Sequence, residues 1–364
     1  MKDYSSISAN DIFQQGKPVL SGTNSLAGFG EWIALQPQKF TAVVLCDENT
    51  AMHCLPQLKS WLPSDMEVRE LVIPAGESSK SIEHCLSLYK KLTHLGIDKN
   101  DLLINLGGGV VCDIGGFVAA TYLRGLRFVN MPTSLLAMAD AGLGGKTGVD
   151  LDNLKNRIGL IAFPECTVCD PLFLDTLNDD EWKNGTAEVY KHALIADPEL
   201  WSFLVNNGCG RSVFPGILKQ VQRVKLDVIS RDPFEKGVRR ILNYGHTVGH
   251  AIESLSLAKD VSPLSHGDAV AAGMMIENEI AVRLSLMQSA EALRIREVLD
   301  GVGFHADIRN RESSEIISYM KFDKKNHAGN VRMSLLKGVG QCEWNIQVSD
   351  DLIRGVLSHF GAAI

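Results

Sequence analysis

The segment that most restricts this chain is Leu102-Leu103-Ile104-Asn105-Leu106-Gly107-Gly108-Gly109-Val110-Val111-Cys112-Asp113. It reads as a strand, a glycine turn and the opening of a helix. Similar runs surround it. Thr41–Cys46 is a short β-branched stretch ending at Asp47. Glu67–Ile73 is another, followed by Pro74-Ala75-Gly76 and a helical pattern from Ser81 to about Leu95. A helix is expected from Val110 to about Leu123, and Phe128–Met131 reads as a fourth strand. Strands that are continuously apolar rather than alternating, each followed by a helix, predict a parallel sheet covered on both faces.

After about Thr176 the pattern changes. Helical periodicity dominates over Asp180–Ile195, Gly216–Ser230, Arg239–Leu257 and His266–Met287, with one strand expected at Met333–Leu336. The expectation is an α/β amino-terminal domain with a parallel, Rossmann-like sheet over residues 1–175, and a mainly α-helical domain over 176–364. A length of 364 residues suits two domains better than one core.

Charge and cysteine usage narrow the class. A net charge of −7 argues against a nucleic-acid partner, but a local cluster of Lys and Arg can still hold a small anion. MKDYSSISANDIFQQGKPVL has no apolar run after Lys2, so no secretory leader is expected, and no apolar stretch is long enough to span a membrane. The eight cysteines are scattered, which fits reduced thiols and a cytoplasmic setting. Cys166 and Cys169 form a C-x-x-C with no second pair nearby, and buried apolar side chains are the expected reading.

Three groups of residues carry chemistry. Gly107, Gly108 and Gly109 let the backbone approach an anion at a helix start, which suits a pyrophosphate and equally a plain tight turn. Asp47, at a strand end, is placed either to accept from a ribose hydroxyl or to cap a helix. His246 and His250 in NYGHTVGHAIES stand four apart on one helical face, His266 opens the next helix, and Glu188 sits among apolar residues in GTAEVYKHALI. Thr247 follows the first His where a zinc protease needs Glu. One carboxylate, two imidazoles and an open position make a catalytic zinc set; the alternative is capping histidines and a solvated Glu. Lys146, Lys155-Asn156, Lys191, Lys225, Arg239 and Lys325 are expected in or beside glycine turns or helix ends, singly as surface charges, together as a site for phosphate and carboxylate.

The blocks GGGVVCDIGGFVAATYLRG, MPTSLLAMADAGLGGKTGV, LKNRIG, GTAEVYKHALI, RRILNYGHTVGHAIE, SHGDAVAAGM and DKKNHAG, in this order over roughly residues 40 to 340, resemble those of the 3-dehydroquinate synthases, within the wider sugar phosphate cyclases. The resemblance implies zinc, for which cobalt can substitute, held by Glu188, His246 and His266. It makes His250 a substrate-site residue rather than a ligand. It implies NAD at Asp47, Glu77, Lys80, Gly107, Gly108, Gly109, Asp113, Thr133, Ser134, Lys146, Lys155 and Thr176. Substrate contacts fall on Asp140, Lys146, Asn156, Lys191, Lys225, Arg239, Asn243, His250 and Lys325, with Arg124 supplied across a homodimer interface. Ser134, Ala141-Gly142 and Asp150 depart from the family's usual residues, and only Asp150 bears on hydrogen bonding near the phosphate.

The implied activity converts 3-deoxy-D-arabino-heptulosonate 7-phosphate to 3-dehydroquinate and phosphate. It runs through transient oxidation by NAD, β-elimination of phosphate, reduction and an intramolecular aldol closure. The rivals are a cyclase for another heptulose or hexose phosphate, a metal-dependent polyol dehydrogenase and a non-enzymatic binding module. Arg239 with Lys225 as a carboxylate clamp favours a 2-keto acid substrate, and the phosphate residues speak against a dehydrogenase.

Overall fold

A computed structural model of the chain describes residues 12–37, 39–151, 154–306, 308–309, 311–321 and 331–363. The chain divides into two compact units, Met1–Trp182 with Phe214–Leu226, and Lys183–Val213 with Asp227–Ile364.

The first unit carries β1 (Ile12–Gln14), β2 (Lys17–Ser21), α1 (Ser25–Ala34), β3 (Ala42–Asp47), α2 (Glu48–His53), α3 (Leu55–Lys59), β4 (Val68–Ile73), α4 (Ile82–His94), β5 (Leu102–Gly107), α5 (Gly109–Thr121), β6 (Arg127–Pro132), β7 (Lys146–Leu151), β8 (Leu154–Ile161) and β9 (Cys166–Cys169). Seven strands form one sheet in the order β1-β2-β9-β6-β5-β3-β4, parallel throughout except for the β1–β2 pair. Every residue of β5 is buried, as a strand covered on both faces requires. Val43, Leu45, Leu71, Leu88, Leu103, Ile114 and Phe128 belong to the core on one side of this sheet. Cys166 and Cys169 are buried in β9, so the C-x-x-C is part of this packing.

The second unit is built from α6 (Asp179–Ala196), α7 (Pro198–Asn207), the end of α8 (Phe214–Arg231), α9 (His246–Lys259), α10 (His266–Arg283), α11 (Ser289–Val302), α12 (Ser313–Lys321) and α13 (Asp350–His359). A hairpin of β10 (Val331–Gly338) and β11 (Gln341–Val348) joins them where one strand was expected. Among the described residues no helix is long and apolar enough to cross a membrane.

Three local expectations change. The single helix foreseen over Arg239–Leu257 is a 3-10 turn, Val238–Asn243, followed by α9, with Gly245 between them at φ 78°. The break has a cause outside its own sequence. The buried Glu277 carboxylate on α10 accepts from Gly245 N (2.7 Å) and Val248 N (3.1 Å), capping a helix that has no side-chain cap of its own. Lys146, Lys155 and Asn156 lie on the β7–β8 hairpin rather than in turns, and Lys191 and Lys225 lie inside long helices. Helix α10 ends at Arg283, short of Met287.

Candidate active site

In the first unit, β3 and β5 run side by side with Cys46 opposite Leu106. Beyond them the strand order departs in opposite directions, β4 flanking β3 and β6 flanking β5. Such a reversal opens a crevice at the carboxyl ends of the two strands, the usual seat of a nucleotide in an open α/β sheet. The residues at those ends are Asp47 and Gly107. Helix α5 starts at Gly109 with Gly108 as its cap, a residue with no side chain to bond the first N–H groups, which suits an anion. A Cβ at Gly107 would lie 2.5 Å from the Val111 side chain, so any larger residue there would force Val111 to move.

Asp47 caps α2: its Oδ1 accepts from Thr50 N at 2.8 Å, and Thr50 Oγ1 accepts from Asp47 N at 2.9 Å. The cap reading is therefore satisfied, and a ribose contact would have to coexist with it. Lys80 is 5% exposed, with Nζ 2.6 Å from Asp113 Oδ2 and 4.0 Å from Glu77 Oε1. Burial would lower its pKa, but Asp113 and Glu77 hold it above the ordinary lysine value, so the ammonium stays charged. Lys155 Nζ lies 3.3 Å from Glu77, extending the network. Thr133 N donates to Gly107 O (3.0 Å), and Ser134 Oγ accepts from Ala137 N (3.2 Å). Thr176 is exposed on the chain leading to α6.

Among the residues expected to hold substrate, Lys146 and Asn156 are exposed on their hairpin. Asp150 donates its N–H to Lys80 O at 2.9 Å and accepts from Asn156 N at 2.7 Å. Residue 150 thus holds the backbone of Asn156, which sits at φ 53°, through an Oδ1 acceptor that an Asn would also offer. Arg124 is exposed and left-handed (φ 62°). Lys225, 5% exposed, donates to Asp140 through Oδ1 (2.9 Å) and the backbone carbonyl (2.7 Å).

The second unit collects the metal-type residues. Glu188 on α6 is fully buried, and its Oε1 lies 3.3 Å from His246 Nε2 and 3.5 Å from His266 Nε2. Its Oε2 is paired with Lys191, one helical turn on. His246, His250 and His266 also offer nitrogens that all lie within 4.8 Å of one another. Two sets of three donors therefore share His246 and His266 and differ in whether Glu188 or His250 completes them.

The outer ring nitrogens are engaged. His246 Nδ1 is 3.0 Å from Tyr244 O and His266 Nδ1 is 3.2 Å from Glu253 Oε2, so each Nδ1 carries a hydrogen and each ring turns Nε2 toward Glu188. Burial, then Lys191, lowers the pKa of His246 and keeps it neutral. Burial would also lower His266, but Glu253 and Glu188 push it up to about 10, a demand for positive charge that a bound dication meets. Two imidazoles with a carboxylate are the donor set of a catalytic zinc, and the residues fit that ion once His266 gives up its second proton to it.

Arg239 is fully buried, its Nη1 donating to Pro233 O at 2.6 Å, and its loop is pinned by Asp232, which accepts from Lys236, Gly237 and Arg239 N–H groups. Asn243 Nδ2 donates to Glu235 Oε1 at 2.8 Å. Lys325 lies outside the described residues. Sequence reading missed Glu253, Glu277, Asp232 and Glu235. Glu253 had a readable signal, since it falls seven residues after His246 on the same helical stripe.

Similarity to known proteins follows this division. The family model for the 3-dehydroquinate synthase N-terminal region matches residues 70–184, and that for the 3-dehydroquinate synthase C-terminal region matches residues 185–326. The 3-dehydroquinate synthase of Rippkaea orientalis is 39% identical over 310 residues, 83% of this chain and 84% of that protein. That of Bacillus cytotoxicus is 36% identical over 355 residues, 95% of this chain and 92% of that protein. The 2-epi-5-epi-valiolone synthase of Streptomyces hygroscopicus subsp. jinggangensis 5008, solved with NAD+ and Zn2+ bound, superposes with a TM-score of 0.85 at 27% identity, covering 97% of this chain and 98% of its own. A sulfoacetaldehyde reductase from Bifidobacterium kashiwanohense, covering 97% of this chain and 99% of its own, reaches a TM-score of 0.68 at 11% identity and shares the fold alone.

Proposed function

The chain belongs to the 3-dehydroquinate synthase family, and from that premise we infer how its residues share the work of the reaction. It converts 3-deoxy-D-arabino-heptulosonate 7-phosphate into 3-dehydroquinate and phosphate, a step of the shikimate pathway, using NAD and a divalent metal, zinc or cobalt. Bound to the chain, the dication supplies Lewis acidity and the dinucleotide a reversible hydride acceptor.

The observation that carries the reading is the approach of one Glu188 oxygen to the Nε2 atoms of both His246 and His266. These three residues hold the metal, and His250 beside them acts on the substrate. Lys191 keeps the second Glu188 oxygen occupied, orienting the first toward the imidazoles. The glycine turn with Lys80, Asp113 and Asp47 holds the dinucleotide. Lys146, Asn156 and His250 bind the phosphate, Arg239 and Lys225 the carboxylate, and Asp140, Lys191 and Asn243 the sugar. Fixing both anionic ends aligns the reacting carbons, an entropic contribution to rate. A homodimer in the cytoplasm, with Arg124 of a second copy reaching the phosphate, completes the proposal.

The test is stoichiometric. With heptulosonate phosphate in large excess over NAD, the chain should release many equivalents of phosphate per NAD and leave no lasting NADH absorbance. Lasting NADH without phosphate release would make it a dehydrogenase instead.

A further inference from the structure

Glu253 is more deeply buried than the His266 ring beside it, with side chains 4% and 22% exposed. A buried carboxylate costs several kcal/mol unless it is paired, so its position calls for a reason. It lies on α9 three residues after His250 and seven after His246, on the stripe that carries the metal-type histidines. Its Oε2 sits 3.2 Å from Nδ1 of His266, which belongs to a different helix, α10.

His266 is the first residue of α10, where a ring is held by fewer neighbours than in a helix interior. Ser265 caps that helix through Asp268 N (3.1 Å), which fixes the backbone and leaves the imidazole orientation to its own contacts. An ionised carboxylate accepts hydrogen bonds and donates none, so beside Glu253 the His266 Nδ1 must carry the hydrogen. Nε2 is then the nitrogen that faces the other candidate ligand, 3.5 Å from Glu188 Oε1, and a metal displaces its proton on binding. His246 reaches the same tautomer by another route, through the neutral carbonyl of Tyr244 at 3.0 Å. The two imidazoles thus differ in the partner behind them: a carboxylate makes the ring it touches the stronger electron donor.

We propose that Glu253 is a positioning residue of the metal centre, which sets the tautomer and orientation of His266 and strengthens that ring as a ligand. The inference rests on His266 being a ligand, as argued above. The probe is Co2+ added to metal-stripped protein, with affinity read by competition against a chelator and geometry by the visible d–d spectrum. Glu253→Ala should weaken Co2+ binding by about 10–100-fold, the usual cost of losing such an outer partner. Glu253→Gln keeps an acceptor of similar size without the charge, and should recover part of that affinity with a shifted d–d band. A purely structural Glu253 would lower the melting temperature of the metal-free protein without shifting that band.

The His266→Ala background separates the two claims. There Co2+ binding should already be weak, and Glu253→Gln should weaken it no further. If His266→Ala binds Co2+ like the parent chain, the ligand assignment falls and takes the proposal with it. If His266→Ala loses the ion while Glu253→Gln keeps parental affinity and spectrum, the assignment stands and the role of Glu253 is overturned. Should Glu253→Ala fail to fold, Glu253→Gln alone decides between these outcomes.

Discussion

The two proposed sites are built by different means. In the first unit the proposed dinucleotide surface is largely backbone: the ends of adjacent parallel strands, a glycine turn and the opening turn of α5. Its side chains come mostly from residues just past strand ends, so the site follows from the topology of the sheet. In the second, nearly everything is side chain, drawn from α6, α9 and α10, and held by buried charges on neighbouring helices. A backbone site tolerates change at any one side chain. A side-chain site depends on each member and on whatever orients it.

The sharpest break between the units should come from stripping the metal. Dialysis against a chelator should cut turnover by on the order of 10³ or more, since Lewis-acid stabilisation is worth several kcal/mol, and zinc or cobalt should restore it. NAD binding to the first unit, followed by fluorescence, should change far less. Undiminished turnover in verified metal-free protein would remove the metal from the chemistry. The same preparation identifies the third ligand. Glu188→Gln should weaken zinc strongly, whereas His250→Ala should keep the metal and lose turnover. An emptied site in His250→Ala would favour the three-histidine set.

Packing gives the next contrast. A Cβ at Gly273 would lie 1.9 Å from the carbonyl oxygen of Gly245, a backbone atom that cannot swing aside, whereas at Gly107 the obstacle is the Val111 side chain. Gly273→Ala should destabilise by about 1–3 kcal/mol or more and loosen metal binding, because it pushes α10 from the start of α9 that carries His246. Gly107→Ala should cost less in melting temperature and act on NAD affinity. Equal losses of zinc in both variants would refute the idea that only the second unit's site depends on helix packing.

Arg239→Lys replaces a fork of donors with a point charge, and should cost about 1.5–3 kcal/mol in kcat/KM on the heptulosonate phosphate. On an analogue without the carboxylate the loss should be much smaller. Equal losses would remove the case for a carboxylate clamp.

These contrasts also explain what could be read from the sequence. The strands β3 to β6, the glycine turn and the division into an α/β and a helical part were legible because each rests on a local apolar pattern. His246, His266 and Glu188 were noticeable as residue types out of place, but family resemblance rather than spacing selected them from His250. The break before α9 was not legible, since the carboxylate that caps its start, Glu277, lies on another helix. The β7–β8 hairpin was hidden because Lys146, Asp150, Lys155 and Asn156 interrupt any apolar rhythm. Glu253 was missed although its spacing was available, because a carboxylate on a helix reads as solvated until its burial is known.

Asp47 offers the smallest effect and the finest test of the backbone side of the comparison. Two roles compete for one carboxylate. As the cap of α2 it satisfies Thr50 N through Oδ1, and Thr50 answers by accepting from Asp47 N. As a ribose partner it would use its charge and remaining acceptor capacity at the end of β3, beside the glycine turn. Asn caps helices about as well as Asp, whereas Ala does not, so the two roles separate. Asp47→Ala should lower stability by about 0.5–2 kcal/mol, read from chemical denaturation of the metal-loaded protein. Asp47→Asn should leave stability nearly unchanged. If the carboxylate also holds the ribose, Asp47→Asn should still weaken NAD several-fold, because an amide offers one acceptor where two oxygens and a charge stood. An Asp47→Asn variant with parental NAD affinity would leave Asp47 as a cap alone. The dinucleotide would then rest on backbone and on the Lys80 network alone.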